Sequence, residues 1–280
     1  MACFVLNWKQ GFRPDLKSPS AHLSSPEPTT LRDIRRPSAS LVTPASAGWV
    51  ARVAGRAKRA LLAWRAPAVA RAVRAEGLTY LDLAALTELH GAVAGRAHVP
   101  GDLVEVGCAL GGSALVMALA RASNRPLYVY DVFGMPPPPS EGDGPDVHAR
   151  YAAIAGGLSE GIGGGVYYGY VNGLLERVRE TFRRYGVDPE RTGVAFVPGM
   201  AQDTLPEHGP VAVAHVDCDR YESVRVCLER IAPRLSPGGV MIIDDYDSKS
   251  GCRKAVDEYF AARPGEFRLE RRSRLHVLRN

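Results

Sequence analysis

The chain has 280 residues, of which 46% are hydrophobic, and this length predicts one large domain or one domain with extensions. The net charge of +5 is uneven, because residues 1–76 carry a net +9 and residues 77–280 a net −4. Five cysteines with no CxxC pair and no zinc spacing argue against a disulfide framework or a zinc finger, and predict a reducing, cytoplasmic location.

The N-terminal region holds the excess of basic residues and few large apolar side chains. The start, MACFVLNWKQ, is interrupted by Asn7 and Lys9 before a signal-peptide core of about 7 residues forms. A membrane-spanning helix needs about 18 consecutive apolar residues, and no run in the sequence is that long. We therefore expect a protein that is not secreted and has no membrane span. Residues 1–48 are rich in Ser and Pro and are predicted to be disordered. Residues 49–76 are predicted to form a basic helical segment, broken near Pro67, that either packs on the domain or contacts RNA, anionic membrane or a partner.

The globular part begins with alternating helical and strand patterns. A helix is predicted over 81–93, a strand over 103–106, a glycine turn over 107–113, a helix over 114–122 and a strand over 127–130. This order of elements is typical of a mostly parallel sheet with helices on both faces.

The glycine turn after the first strand is a candidate cofactor-binding loop. Its pattern is GxxxGG, with Gly107, Gly111 and Ser113 as candidate contacts, whereas dinucleotide sites carry GxGxxG. The missing second glycine disfavours NAD or FAD and favours a nucleoside cofactor without a pyrophosphate, such as S-adenosylmethionine. Glu105 is then a candidate partner of the cofactor's ammonium group. Asp131, at the end of the second strand, is a candidate partner of the cofactor's ribose hydroxyls. A purely structural tight turn and an NAD-linked oxidoreductase are the alternatives.

A long irregular segment, residues 133–170, follows the second strand. It contains four consecutive prolines, the acidic sequence EGDGPD and the sequence GIGGGVYYGY. Connections of more than about 12 to 15 residues are uncommon unless they bind ligands or cover sites, so we predict a lid over an acceptor. Its three tyrosines either stack on a sugar or ring of the acceptor or pack the lid onto the domain. They are Tyr167, Tyr168 and Tyr170.

The C-terminal half continues the alternation. Further strands are predicted over 194–197, 211–216 and 240–243, helices over 174–185, 221–235 and 252–262, and an antiparallel pair of edge strands within 266–278.

Two of these strands end in pairs of acids. Asp217 and Asp219 follow one, and Asp244 and Asp245 follow the next. Strand-terminal aspartates often cap helices or form turns, but two pairs at matching positions indicate a ligand site at the carboxyl edge of the sheet. Such a cluster repels itself unless a cation lies in it, and oxygen ligands alone favour a hard cation such as Mg²⁺. His215 shares the face of Asp217 and is either a partner of the site or a histidine satisfied within the sheet.

Six motifs in order resemble the metal-dependent O-methyltransferases typified by the macrocin, mycinamicin and novobiocin enzymes, which methylate sugar hydroxyls of natural products. They are VEVGCALGGS, YDVFGMPPPP, PGMAQDTLP, VDCDRYES, LSPGGVMIIDDY and GCRKAVDEYF. The resemblance implies a class I methyltransferase fold, S-adenosylmethionine as cofactor and a divalent cation, usually Mg²⁺. It implies Asp217, Asp244 and Asp245 as metal ligands and Asp219 or Asp217 as the base. The segment containing Gln202 also resembles catechol O-methyltransferase, which implies that Gln202 contacts the adenine.

We therefore expect an α/β, Rossmann-like domain over residues 77–280 that transfers a methyl group from S-adenosylmethionine to a hydroxyl of a sugar-containing or other polyhydroxylated small molecule. We expect no nucleic-acid partner and, from base rates, a homodimer. The competing hypotheses are an NAD-linked oxidoreductase and a non-catalytic protein that acts through the basic N-terminal segment.

Overall fold

The computed structural model describes residues 65–122, 125–206 and 209–280. The predicted disordered extension, residues 1–48, and the first part of the predicted basic segment, residues 49–64, lie outside the described residues. In the rest of that segment a helix begins directly after Pro67, a residue suited to a helix N-terminus because its φ is already helical.

Helices and strands alternate along the described chain. The helices are α1 (Ala68–Ala75), α2 (Leu83–Ala94), α3 (Gly112–Ala120), α4 (Pro145–Ala155), α5 (Leu174–Arg184), α6 (Pro189–Thr192), α7 (Ala201–Thr204), α8 (Tyr221–Ile231) and α9 (Ser250–Ala261). The strands are β1 (Asp102–Val106), β2 (Leu127–Asp131), β3 (Val194–Pro198), β4 (Val211–Val216), β5 (Leu235–Ile243), β6 (Phe267–Arg271) and β7 (Leu275–Arg279).

The strands form one seven-stranded sheet in the order β3-β2-β1-β4-β5-β7-β6. The first five are parallel to one another, and β7 is antiparallel to both β5 and β6. This confirms the predicted mostly parallel α/β fold with an antiparallel C-terminal edge. The chain reverses its strand order between β1 and β4, the position at which doubly wound sheets bind ligands.

The central strands are apolar because helices cover both faces of the sheet. Every residue of β4 is buried, and so are four of the five residues of β1. One apolar cluster includes Leu86, Leu115 and Phe182, and the other includes Leu228 and Val256, on helices of opposite faces. Continuous burial of this kind is typical of parallel strands, which explains why β4 lacks a polar alternation.

The predicted helix over 221–235 is too long. It ends at Ile231, a 3₁₀ turn over Ala232–Arg234 follows, and β5 begins at Leu235, five residues before the predicted strand. Pro233 lies in that turn and cannot donate the backbone hydrogen bond that would continue the helix.

In the described part of the chain, no helix combines the length and the apolar character that crossing a membrane requires.

Candidate functional site

The glycine turn between β1 and α3 lies against the backbone that follows β4. Gly107 has φ +84°, and a Cβ at this position would lie 1.8 Å from the carbonyl oxygen of Asp217. Both the left-handed backbone and the close approach require glycine. The Gly107 N–H donates to the carbonyl of Tyr130 at 2.8 Å, so the turn is tied to β2 as well.

Asp131, at the end of β2, holds the glycine turn through backbone hydrogen bonds. Its Oδ2 accepts from the N–H groups of Cys108 and Ala109 at 2.7 and 2.9 Å, and its Oδ1 accepts from Phe133 N–H at 2.7 Å. Burial raises the pKa of this carboxyl, although the three backbone donors oppose the shift. Asp131 also lines the cavity described below, and the predicted ribose contact stays a prediction.

Glu105 is fully buried one layer beneath the turn. It accepts a hydrogen bond from the Ser113 hydroxyl, and its Oε2 lies 3.1 Å from Nδ1 of His215. Gly111, the N-cap of α3, faces α5, because a Cβ there would lie 2.7 Å from Val178 Cγ1. Glu105, Gly111 and Ser113 contact other parts of the protein and do not line the cavity described below, so their predicted cofactor contacts stay predictions.

The four strand-terminal acids meet at one edge of the sheet. Strands β4 and β5 are neighbours with Val216 paired to Ile243, and both Asp244 and Asp245 lie beyond the end of β5, which frees adjacent side chains from strand alternation. Oxygen atoms of Asp217, Asp219 and Asp245 lie within 4.8 Å of one another. A second group within the same limit comprises Asp217, Asp244 and a ring nitrogen of His215. Asp217 belongs to both groups and is the centre of the cluster.

Burial and the neighbouring acids raise the pKa values of Asp217 and Asp219. The pKa of Asp217 is well above its usual range, first because of burial and then because of Asp244, Asp245 and Asp219. Burial and Asp245 raise the pKa of Asp219 to about 8, although Lys249 and Arg220 oppose the shift. Asp219 also has φ +58°, a left-handed conformation that few non-glycine residues adopt and that is frequent at functional sites.

His215 is fully buried, and its surroundings differ at its two ring nitrogens. Burial alone would lower its pKa, but the Glu105 carboxylate, followed by Asp244, raises it overall. Nε2 has no hydrogen-bond partner among the described residues. His215 therefore has a hydrogen-bond partner within the described sheet at Nδ1 only. Nε2 is left for a ligand of the site, so each of the two predicted roles describes one ring nitrogen.

The cluster has the composition of a site for a hard divalent cation. Carboxylate oxygens dominate the donor set, as such ions prefer. Oδ2 of Asp245 is buried and, like His215 Nε2, has no partner among the described residues. Buried polar atoms are rarely left unpaired, so these two atoms indicate a missing ligand. The residues present thus fit the predicted cation, although Asp244 and Asp245, both predicted ligands, belong to different groups around Asp217.

Two protein cations adjoin the acids, and the sequence reasoning did not find them. Arg274, in the turn between β6 and β7, donates from Nε to Oδ1 of Asp244. Lys249 Nζ lies 3.9 Å from Oδ2 of Asp219. The signal for Arg274 was present as the basic run at 271–274, but its position depends on the pairing of Ile243 with Leu275 across the antiparallel edge.

A cavity of about 300 Å³ joins the glycine turn, the acids and the predicted lid. The glycine turn and the strand-terminal acids contribute Gly107, Ala109, Asp131, Asp217, Asp219, Asp244 and Asp245 to its lining. From residues 133–170 it is lined by Pro136, Pro137, Val147, Arg150, Ile154, Tyr167 and Tyr168. Gln202 is exposed on α7, and its Nε2 lies 3.3 Å from Sδ of Met200, which does line the cavity. The predicted adenine contact of Gln202 stays a prediction.

The three tyrosines of the predicted lid are packed together, and for Tyr167 and Tyr168 the stacking on an acceptor stays a prediction. Tyr167 and Tyr168 line the cavity, with ring centroids 4.4 Å apart. Tyr170 packs the lid, since its hydroxyl donates to the carbonyl of Ile154 at 2.5 Å and its ring lies 5.2 Å from that of Tyr167.

Comparison with known proteins places the chain in a family. The model of the macrocin O-methyltransferase (TylF) family matches residues 67–265. The 8-demethyl-8-(2,3-dimethoxy-alpha-L-rhamnosyl)-tetracenomycin-C 4′-O-methyltransferase of Streptomyces olivaceus is 41% identical over 168 residues, which are 58% of each chain. The mycinamicin III 3″-O-methyltransferase of Micromonospora griseorubida is 32% identical over 175 residues, 59% of this chain and 62% of the relative. The chain thus spans about three fifths of the length of these curated relatives.

Solved structures agree with this placement. The O-methyltransferase NovP superposes with a TM-score of 0.59 and 30% identity, covering 72% of this chain and 82% of that one. The calicheamicin methyltransferase CalS11, with a TM-score of 0.53 and 16% identity over 90% of this chain and 99% of that one, shares the fold. On the extent of the family match and the identity to these relatives, the chain belongs to the macrocin O-methyltransferase (TylF) family.

Proposed function

We propose that the protein transfers the methyl group of S-adenosylmethionine to a hydroxyl of a sugar-containing or other polyhydroxylated small molecule, with the help of a hard divalent cation. The observation that carries this proposal is the junction at Gly107 and Asp217, where the predicted donor-binding turn touches the acid cluster inside one cavity. Family membership supports methyl transfer, and the names of the relatives support glycosylated acceptors.

The glycine turn and Asp131 would position the donor. The backbone donors of the turn are already bound to Asp131, so this loop is held in place before a ligand arrives. The acids and the tyrosines Tyr167 and Tyr168 face the same cavity from the other sides. Holding the two reactants in one enclosed space lowers the entropic part of the barrier and keeps water from competing as acceptor.

The acids would hold the cation, with Asp217, Asp244 and Asp245 as ligands. A bound divalent cation supplies positive charge that stabilises the negative charge developing on the acceptor oxygen. Asp245 Oδ2 and His215 Nε2 are buried without partners among the described residues and are therefore available to bind a cation, which supports a cation at this site. The Glu105 carboxylate fixes the orientation of the His215 ring from beneath.

We assign proton acceptance to Asp219. It lines the cavity, and it is less buried than Asp245 or His215, so an acceptor hydroxyl in the cavity can reach it. As the acceptor hydroxyl gives its proton to Asp219, its oxygen forms a bond to the methyl carbon while the bond from that carbon to sulfur breaks. The products are the methyl ether and S-adenosylhomocysteine.

The test is methyl transfer by the full chain, followed as S-adenosylhomocysteine release. The acceptors are mycinamicin III and the rhamnosylated tetracenomycin for which the relatives are named. We expect turnover that needs Mg²⁺ and stops with chelator. Asp217→Asn should reduce turnover by about a hundredfold or more, whereas Asp247→Asn, an exposed neighbour that pairs with Arg253 and Arg271, should not.

Full activity of Asp217→Asn in the presence of chelator would contradict the proposal. Calorimetry with S-adenosylhomocysteine and with NAD separates it from the oxidoreductase hypothesis, since only the first should bind.

A further inference from the structure

Arg220 is a buried arginine that faces the cavity. It follows Asp219 directly, is the N-cap residue of α8, and is 7% exposed. Its side chain lines the same cavity as the acids and the lid. The proposed mechanism gives it no role.

The guanidinium of Arg220 makes no hydrogen bond or ion pair with any of the described residues. Nε is buried without a partner. The guanidinium instead lies over the ring of Tyr151, on lid helix α4, with 5.3 Å from its carbon to the ring centroid. A cation–π contact offsets only part of the free energy lost when a charge leaves water, so this position is costly unless another partner is present.

Elsewhere in the described structure, the guanidinium of an arginine is hydrogen-bonded to backbone carbonyls. Arg125, for example, donates to the carbonyl oxygens of Arg96, Ala97 and Val99 at 2.7–2.9 Å. Its guanidinium therefore needs no ligand. The unpaired guanidinium of Arg220 is thus not a general property of arginines in this protein.

The neighbouring acids do not supply the missing partner. Asp219 is adjacent in sequence and close enough that the Arg220 charge opposes the rise of its pKa. Its carboxylate, however, is within ion-pair distance of Lys249 and belongs to the oxygen group around Asp217. A divalent cation bound there would satisfy these oxygens and leave Arg220 unpaired.

A second guanidinium faces the cavity from the lid. Arg150 is exposed on α4, next to Tyr151 in sequence; it donates to the Ser159 hydroxyl at 3.0 Å and lies 5.4 Å from the ring centroid of Tyr167. Its bond to a neutral hydroxyl leaves its charge without an anionic partner among the described residues. A planar guanidinium fork matches the oxygen atoms of carboxylate or phosphate, which it binds through two parallel hydrogen bonds.

We propose that Arg220, with Arg150, binds an oxyanion carried by the methyl acceptor, so that the substrate is an acidic sugar or a sugar linked to a phosphate. This inference rests on the proposed function, because it describes the acceptor of that reaction. A neutral acceptor leaves Arg220 without an anionic partner, so the neutral rhamnoside named above should be turned over, but less well than an acidic acceptor. The carboxylate and the phosphate share one chemistry, and the experiment distinguishes them.

The experiment is calorimetry on the full chain with Mg²⁺ and S-adenosylhomocysteine present. The probes are methyl β-D-glucuronide for the carboxylate, uridine diphosphate for the phosphate, and neutral methyl β-D-glucoside for comparison. We expect one of the two oxyanions to bind at least tenfold more tightly than the glucoside, and that probe identifies the class. Arg220→Met should weaken its binding by tenfold or more, and Arg220→Lys, which keeps the charge without the fork, by a smaller factor.

The matched control is Arg225→Met, on the same helix, where the guanidinium pairs with Glu222 and Glu229 away from the cavity. It should change the affinity for the oxyanion by less than twofold. Without ligand, Arg220→Met should melt at the same temperature as the wild type or higher, because it removes an unpaired buried charge. A structural role would lower the melting temperature instead.

The inference is overturned if neither oxyanion binds more tightly than the glucoside, or if Arg220→Met keeps the oxyanion affinity. It is also overturned if Arg220→Met weakens S-adenosylhomocysteine by the same factor, since Arg220 would then bind the carboxylate of the donor. Failure of the wild type to bind S-adenosylhomocysteine would count against the proposed function, whereas donor binding without oxyanion binding counts against this inference alone.

Discussion

Arg274 donates a hydrogen bond from Nε to Oδ1 of Asp244, so one member of the acid cluster is already paired with a protein cation. The arginine comes from the antiparallel hairpin β6–β7, whereas the aspartate ends the parallel strand β5. The C-terminal edge of the sheet therefore contributes to the electrostatics of the site.

Replacing Arg274 by Gln should have opposite effects on stability and on cation binding. The side chains of Arg274 and Asp244 are only 21% and 14% exposed, so without metal the loss of their pairing should cost about 1–2 kcal/mol of unfolding free energy. The affinity for Mg²⁺ should rise, because no protein cation then competes for Asp244. Urea unfolding and calorimetry measure the two effects, with Arg272→Gln, an exposed partner of Glu270, as control. An unchanged affinity for Mg²⁺ would show that the arginine and the ion do not share this carboxylate.

The two overlapping groups predict an order among the acids. Asp217→Asn should weaken Mg²⁺ or Mn²⁺ binding most, by about a hundredfold, because Asp217 belongs to both groups. Asp244→Asn leaves the group of Asp217, Asp219 and Asp245 intact, and Asp219→Asn leaves the group that contains His215. Because Asp244 is an assigned ligand and Asp219 is the assigned base, Asp244→Asn should weaken Mg²⁺ binding more than Asp219→Asn in calorimetry, and the reverse order would make Asp219 a ligand. Wild-type affinity in Asp217→Asn would refute the assignment.

Asp131→Asn should loosen the glycine turn. Both carboxylate oxygens accept backbone N–H groups, so whichever way the asparagine side chain is turned, its amide nitrogen faces a donor and a hydrogen bond to the turn or to Phe133 is lost. We expect a loss of about 1–3 kcal/mol in unfolding free energy together with weaker binding of S-adenosylhomocysteine. Asp203→Asn, on the surface of α7, should change stability by less than about 0.5 kcal/mol. Equal stability of the two variants would mean that the turn holds its shape without Asp131.

Ser250→Ala should release helix α4, which lies in the predicted lid, at its N-terminus. Ser250, at the start of α9, donates to Asp146 from its N–H at 3.1 Å and from its hydroxyl. We expect faster amide hydrogen exchange over residues 145–155, while Ser250→Thr, which keeps the hydroxyl, retains the wild-type rate. Unchanged exchange in Ser250→Ala would show that other contacts hold the helix.

The same contact predicts a pH dependence for the hydrogen exchange of helix α4. The Ser250 hydroxyl and N–H hold the pKa of Asp146 below its ordinary value of 3.8. A depressed carboxyl pKa means that the contact is fully formed above that value and is lost as the pH falls through the folded-state pKa. Hydrogen exchange of α4 should therefore quicken relative to the rest of the domain only below about pH 4. Loss of protection near neutral pH would contradict this assignment.

The positions of the strand-terminal acids could be predicted because they follow from topology alone. Parallel strands place their carboxyl ends at one edge of the sheet, and no detail of register is needed to bring Asp217 and Asp244 together. The separation of Asp244 and Asp245 from the strand was also implied, since adjacent side chains share a site only where alternation has ended.

The environment of Glu105 was accessible to the same reasoning and was not used. Glu105 lies two residues before Gly107, and His215 lies two residues before Asp217. Because β1 and β4 are parallel neighbours with Glu105 opposite His215, their side chains meet inside the sheet. An acid and a histidine at matching positions in two buried strands predict a buried pair.

Arg220 and Arg274 lay beyond prediction for a different reason. The position of Arg274 depends on which residues of the hairpin face β5, and the burial of Arg220 depends on how lid helix α4 folds over the loop after β4. Neither register nor lid packing follows from local sequence patterns, because both are set by contacts between segments distant along the chain.

The backbone contact between Gly107 and Asp217 leaves no room for even a methyl group between the two loops. Movement at either loop would therefore be transmitted to the other, and under the proposed function the binding of the donor and of the cation would be coupled. By linkage, whatever factor donor loading imposes on cation affinity, cation loading imposes on donor affinity. Under the proposed function, this cooperativity would act through a single interatomic contact.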